Sequence, residues 1–473
     1  MSNALDSLHR VLGPVAAVEN NRIQLKEPAS LASQRMDDLV NLAVFGDVEE
    51  KEWARWAIWE LGQMVGVRPA SIHELYMARG RGEITGFTVP AMNVRGMSYD
   101  TARAIFRAAI KLNAGAFLIE IARSEIAYTE QRPAEYVAVM LAAALREGYR
   151  HPIFIQGDHF QVNAKKYAAD PVAEVAAVKM LANEAIAAGF YNIDLDTSTL
   201  VDLSKATLEE QQRLNYEVGV ELTQYVRSLE PRGITISLGA EIGEVGTENS
   251  TVAELRAFMN GYNQTLLKAA PGMIGISKIS VQSGTSHGGV VLADGSIADV
   301  KLDFQTLEDL GRVSRTEYGL SGAVQHGAST LPDKLFNQFP RTETAEIHLA
   351  TGFQTMLFDH LPDALREEMY AWLRVSAKDE RKPSDTDEQF FYKSRKKALG
   401  PFKKALWSLP ASTQAELARA YDAKFEFLFS QLAVGGTLPY VERYIDVPDQ
   451  RRDAPSHGGP TVEAAPDDPD AGE

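Results

Sequence analysis

The sequence predicts an α/β protein built on a closed (β/α)8 TIM barrel, with helical N-terminal and C-terminal extensions and a disordered acidic tail. Three observations carry that reading. From residue 85 to about residue 360, short β-rich runs alternate with longer helical stretches, the rhythm of βα units and a parallel sheet. Eight such runs occur, the number that closes a barrel. Polar residues able to do chemistry fall at the C-terminal ends of successive runs, where a barrel gathers its reactive groups.

The eight runs are TGFTVPAMNV (85–94), AFLIEIA (116–122), PIFIQGD (152–158), YNIDLD (191–196), TISLGAEIG (235–243), ISKISV (276–281), YGLSGAVQHG (318–327) and ETAEIHLA (343–350). Between them lie helical stretches such as PAEYVAVMLAAALREG, PVAEVAAVKMLANEAIAAG and TVAELRAFMNGYNQTLLKAA. Residues 1–80 read as an amphipathic helical extension, 81–360 as the barrel, and 361–447 as a second helical region with a basic patch at 392–404. Residues 448–473 are rich in Pro, Gly and acids and read as disordered.

Composition narrows the chemistry. The chain has 473 residues, 45% of them hydrophobic, enough for a large core without staples. It has no cysteine, which leaves His, Asp and Glu as its strong metal ligands. With 48 Lys and Arg against 64 Asp and Glu, the net charge of −16 argues against nucleic acid as a partner. The N-terminus does not read as a signal peptide and no apolar run approaches a membrane span, so the expected address is the cytoplasm.

Five strand ends carry the candidate site. They are Gly157-Asp158-His159, Asp194-Leu195-Asp196, Glu241-Ile242-Gly243-Glu244, the SGTSHGG loop with His287, and His326-Gly327-Ala328-Ser329. His159, His287 and His326 at one mouth would set three imidazoles around one point, as an open Zn2+ site requires. His9, His73, His151, His360 and His457 lie in helices, loops or the tail and read as structural. The glycines in GTSHGG and QHGAST let backbone N–H groups approach a ligand and form an anion nest suited to phosphate. Asp158 adjoins His159, and neighbours on a strand face opposite ways, so both reach the mouth only if the strand has ended there.

In family order and in register, these motifs resemble the class II, metal-dependent fructose-bisphosphate and tagatose-bisphosphate aldolases. VPAMNV is similar to the family's first strand, which ends in a substrate-facing Asn, here Asn93. GDH matches a catalytic Asp followed by a zinc-binding His. GFYNIDLD and AEIGEVGTE resemble the strands that bring Asp196 and Glu241 to an alternative or second metal position. SHGG and QHGAST resemble the other two zinc-histidine motifs, with Gly288, Gly327 and Ser329 matching positions that hold phosphate and a monovalent cation. IHLAT places Thr351 in a phosphate motif, and YKSRKK places Arg395 as a distal phosphate ligand.

Three departures stand out. His348 and Ala350 occupy places usually held by Asn and Asp, and Asn249 follows Glu248 where a second Glu is usual. The resemblance implies reversible cleavage of a ketose bisphosphate, fructose 1,6-bisphosphate first, to dihydroxyacetone phosphate and glyceraldehyde 3-phosphate. Zn2+ would be held by His159, His287 and His326, Asp158 would be the base, and Glu248 would exchange a proton at the enediolate carbon. Two rival readings are the same chemistry on tagatose bisphosphate or another phosphorylated ketose, and a non-catalytic partner subunit of an aldolase. The helical additions suggest a homo-oligomer.

Overall fold

The eight β-rich runs all form strands, and these close into one parallel barrel. They are β1 (Val89–Asn93), β2 (Leu118–Ala122), β3 (Phe154–Gln161), β4 (Asn192–Asp196), β5 (Ser237–Glu241), β6 (Lys278–Val281), β7 (Ala323–Gln325) and β8 (Glu346–Leu349). Each pairs with its sequence neighbour, and β8 closes the ring on β1 with Glu346 opposite Val89 and His348 opposite Ala91. The chain is seen in a computed structural model that describes residues 3–243, 248–284, 292, 302–456 and 462–469.

Local chemistry fixes where the outer helices begin. Thr207, Thr251 and Asp303 precede the helices Leu208–Ser228, Val252–Ala269 and Phe304–Tyr318, and their side chains accept first-turn N–H groups. The helix Pro133–Glu147 opens on Pro and ends at Gly148, whose φ of +80° caps its carbonyls. That helix is buried from Glu135 to Leu145. Its apolar run is therefore that of a helix covered on both sides. Among the described residues no helix is long and apolar enough to cross a membrane.

The second cover is the N-terminal extension. Its helices Gln34–Phe45 and Val48–Val65 lie against Pro133–Glu147 and are tied to it by Arg146–Asp37 at 2.9 Å and Arg55–Glu135 at 3.1 Å. The extension is not helical throughout. Ala16–Glu19 and Arg22–Leu25 form a hairpin whose two-residue turn puts Asn20 and Asn21 at φ +51° and +59°, a conformation Asn tolerates.

Beyond this, segment 67–72 runs beneath the barrel. Ile72 N–H donates to Asn192 Oδ1 at 2.8 Å, and Asn192 Nδ2 donates to Ala70 O at 3.0 Å, which seals the N-terminal end.

At the other end of the chain, the helix Ala411–Gln431 packs on Ser98–Leu112 and joins the outer ring. The described tail residues carry neither helix nor strand, as their composition suggests, yet they lie along the barrel. Trp59 Nε1 donates to Gln450 O at 2.6 Å, the Arg452 guanidinium sits 3.3 Å from the Trp59 ring centroid, and Asp468 is buried 3.3 Å from Arg123.

β3 contains the irregularity that positions the site. The strand does not end at Asp158; it continues to Gln161, but its register against β4 breaks between Gly157 and Phe160. His159 sits there at φ +41°, in the left-handed region. This bulge undoes the alternation of neighbours, so Asp158 and His159 both reach the interior. Gly157 allows it, because a Cβ there would lie 2.5 Å from the Phe160 ring. Gly157→Ala is expected to destabilise the fold by about 1–3 kcal/mol through overpacking. Denaturant unfolding of the variant beside wild type measures this, and an unchanged midpoint would refute it.

His73 supplies a pH test of the sealed end. It is buried at the start of the helix His73–Gly80, with Nδ1 lacking a hydrogen-bond partner. Burial, with Arg227 nearby, pushes its pKa down to about 4 from the usual 6.5. The unfolded chain therefore takes up this proton first, and the stability tied to neutral His73 is lost as pH falls from about 6.5 to about 4. The full effect is roughly 3 kcal/mol. Stability measured at pH 7.5 and 4.5 should fall less in His73→Leu than in wild type.

Candidate metal and substrate site

The strand ends on the open side bring carboxylates and imidazoles into one buried cluster. Asp158 and His159 come from the β3 bulge, Asp194 and Asp196 from β4, Glu241 from β5, His326 from just beyond β7, and Glu346 and His348 from β8. His159 Nδ1 lies 3.2 Å from Asp196 Oδ2 and 3.7 Å from Glu241 Oε2, while its Nε2 lies 3.7 Å from Asp158 Oδ1. The His159 and His326 rings are 4.3 Å apart between centroids. Burial opposes a charge on His159, but Asp158, Asp196 and Glu241 outweigh it and hold the imidazole well above its ordinary pKa. Burial likewise opposes charge on Asp196, and the His159 contact overcomes it, keeping that carboxyl below its usual range.

His159, Glu241 and His326 each present a ligand atom within 4.8 Å of the other two. Two imidazoles and a carboxylate in that arrangement suit a divalent ion of the Zn2+ type. His287 and Gly288 lie outside the described residues. Asp158 stands beside this group. Asn93, at the end of β1, donates from Nδ2 to Asp158 Oδ2 at 3.3 Å, and its own Oδ1 is buried without a partner.

A second zone, made of N–H donors, flanks β8. Gly327 adopts φ +72° and opens the short turn Ala328–Thr330. Ser329 Oγ accepts the Ala350 N–H, next to Thr351, the first residue of the helix Thr351–His360. An N-terminus of that length favours an anion. Arg395, at the start of the short turn Arg395–Ala398, reaches that helix one turn along, where Nη2 donates to Thr355 Oγ1 at 2.7 Å and the guanidinium faces Tyr392 and Phe358. Its Nε is buried without a hydrogen-bond partner, and burial lowers its pKa. Glu248 is exposed on the loop after β5, and among the described residues no hydrogen bond or ion pair joins it to the cluster. Asn249 turns away from the cluster to bond Asp303 at 3.1 Å.

Beneath the mouth lies a charged layer that the strand-end reading overlooked. Lys278 on β6 reaches Asp194 Oδ1 at 2.9 Å and Gln156 Oε1 at 2.8 Å, and it also binds Glu346. Tyr76 donates to Glu346 from the sealed side. Burial would raise the Glu346 pKa, but Lys278 and His348 bring it down to about 2. Glu120 on β2 has no such lysine, and burial with Asp158 nearby pushes it up to about 7. The signal for this layer was an ionisable residue inside a short apolar run, as Glu120 in LIEIA and Glu346 and His348 in EIHLA.

Solved structures share this architecture. The chain is similar to a fructose-bisphosphate aldolase from Campylobacter jejuni, at 18% identity and a TM-score of 0.48, over 79% of this chain and 97% of that one. It is also similar to a protein described as a probable tagatose 6 phosphate kinase from Sinorhizobium meliloti 1021. That match has 15% identity and a TM-score of 0.52, over 76% of this chain and 99% of the other, and it bears on the fold alone. No curated protein sequence matches the chain significantly. The sequence profile for class-II fructose-bisphosphate aldolase matches residues 81–406, a span that holds all eight strands and every residue of the cluster. The chain belongs to the class-II fructose-bisphosphate aldolase family.

Proposed function

We propose that this protein catalyses the reversible aldol cleavage of a ketose bisphosphate, with fructose 1,6-bisphosphate as first candidate, to dihydroxyacetone phosphate and glyceraldehyde 3-phosphate. The observation that carries the reading is the meeting of His159, Glu241 and His326 beside Asp158 at the open mouth of a barrel of this family. His159, His287 and His326 would hold Zn2+, with Asp196 and Glu241 supporting a second position. A divalent ion bound there supplies a Lewis acid for the negative charge that builds on a carbonyl oxygen as the carbon–carbon bond breaks.

The protein's own groups do the rest. Asp158 accepts the proton of the hydroxyl on the carbon that becomes the aldehyde, and returns it in condensation. Asn93 donates to Asp158 Oδ2 and fixes that carboxylate. Gly327, Ser329, Thr351 and the helix N-terminus hold one phosphate, and Arg395 the other, so that binding energy from remote groups orients the reacting bond. Glu248 is the candidate for proton exchange at the enediolate carbon; from its exposed place it needs a loop movement to arrive.

A second reading draws support from β8. His348 lies within the cluster, and Ala350 at the mouth offers no side chain to a sugar hydroxyl. Both favour the same chemistry on tagatose bisphosphate or another phosphorylated ketose.

Coupling triose-phosphate release to NADH oxidation across several ketose bisphosphates separates these readings. Silence on all of them, in protein without bound metal, would favour a non-catalytic partner subunit. Compared with wild type at equal bound metal, Asp158→Asn should lower kcat by about 10²–10⁴, and wild-type turnover in that variant would remove Asp158 as the base. Chelation should also lower the unfolding temperature. At a free-ion concentration about 1,000 times Kd, the bound ion contributes roughly 4 kcal/mol. Calorimetry with and without chelator tests this, and His326→Ala should show no response.

A further inference from the structure

We propose that His348 is a metal ligand, and that with Asp158 and His326 it forms a further position for the divalent ion, beside the one at His159, Glu241 and His326. The inference rests on the reading that a divalent ion works at this mouth, and it concerns a residue at which β8 departs from the family pattern.

Geometry comes first. Asp158, His326 and His348 are all buried, and each presents a ligand atom within 4.8 Å of the other two. The His348 ring lies 4.0 Å from that of His326 between centroids, and His326 lies 4.3 Å from His159 on its other neighbour. Three imidazoles from β3, β7 and β8 thus follow one another around the mouth. His326 belongs to both ligand groups, which makes the two positions alternatives for a single ion.

The second observation is that both His348 nitrogens are turned toward carboxylate oxygens. Nδ1 faces Glu120 Oε1 at 3.0 Å and Asp158 Oδ1 at 3.2 Å, and Nε2 faces Glu346 Oε1 at 2.8 Å. Imidazole nitrogens and carboxylate oxygens that converge in this way are the donor types a divalent ion takes.

The third observation is charge. Glu120, Asp158, Asp194 and Glu346 are all buried around His348. Among the described residues, Lys278 is the one lysine or arginine that ion-pairs with any of them. Buried carboxylates need compensation, and a divalent cation supplies two charges where one lysine supplies one. Mixed imidazole and carboxylate donors suit Zn2+, Co2+ or Fe2+.

The test uses full-length protein stripped of metal and titrated with Co2+, following the visible d–d absorption and obtaining Kd by chelator competition. His348→Asn should weaken Co2+ binding tenfold or more and shift the absorption band, in a variant whose far-UV circular dichroism matches that of wild type. An identical Kd and band in this variant would overturn the proposal. His326→Ala distinguishes the two levels of the argument, because that residue serves both positions. If it binds Co2+ as wild type does, the metal reading of the whole mouth fails; if it loses Co2+ while His348→Asn does not, only the role of His348 fails.

Should His348→Asn not fold, wild-type crystals soaked in Co2+ decide the matter by anomalous diffraction. Density within bonding distance of a His348 nitrogen supports the proposal, and density confined to His159, His287 and His326 overturns it.

Discussion

A single buried ammonium sets the electrostatics of the barrel. Lys278 is shut off from solvent on β6 and carries the positive charge that Asp194 and Glu346 share. Burial opposes its charge, and those two carboxylates overcome the opposition and raise its pKa. The pairing divides two glutamates of the same layer. Glu346, against the lysine, stays ionised, while Glu120, two strands away around the ring, is pushed into the neutral range. Removing one partner from such a network strands the others without solvent, so the layer holds or fails as a unit.

The closed underside makes that layer consequential. Segment 67–72 and Tyr76 occupy the N-terminal end, so the polar interior opens only toward the C-terminal ends of the strands. The N-terminal helices extend the same logic outward. By covering Pro133–Glu147 they turn an outer helix of the barrel into a core helix, which explains its unbroken apolar composition. The extension thus braces the elements that carry β2 and β3, the strands of Glu120 and Asp158.

How much of this was legible in the sequence follows from the kind of signal each feature leaves. Eight strands could be counted because β-branched runs alternate with long helical ones. The imidazoles and carboxylates at strand ends were visible because a parallel barrel puts all such ends on one side. The bulge at Gly157 was not, since it is a shift of register against β4, and pairing between strands is something no local pattern states. Without it, alternation sends Asp158 and His159 to opposite faces. The role of Lys278 was hidden in a different way: ISKISV reads as an ordinary strand, and only the closed ring shows that its lysine points at Asp194 and Glu346. The hairpin at Asn20 and Asn21 left a turn signal that the helical periodicity on either side outweighed.

The mouth is polarised across its width. On the side of β2 to β5 stand Glu120, Asp158, Asp196 and Glu241, a field that draws a cation. On the side of β7 and β8 stand the turn at Gly327, the first N–H groups of Thr351–His360 and the Arg395 guanidinium, a field that draws an anion. His326 and His348 sit on the border between the two. A ligand with phosphates at its ends and a polarisable carbonyl between them would be oriented by this field before any close contact forms. Ala350 adds no charge at that point, where a negative side chain would weaken the anion-drawing side. His348 stands at that border, with Nδ1 3.2 Å from Asp158 Oδ1 and its ring 4.0 Å from that of His326 between centroids.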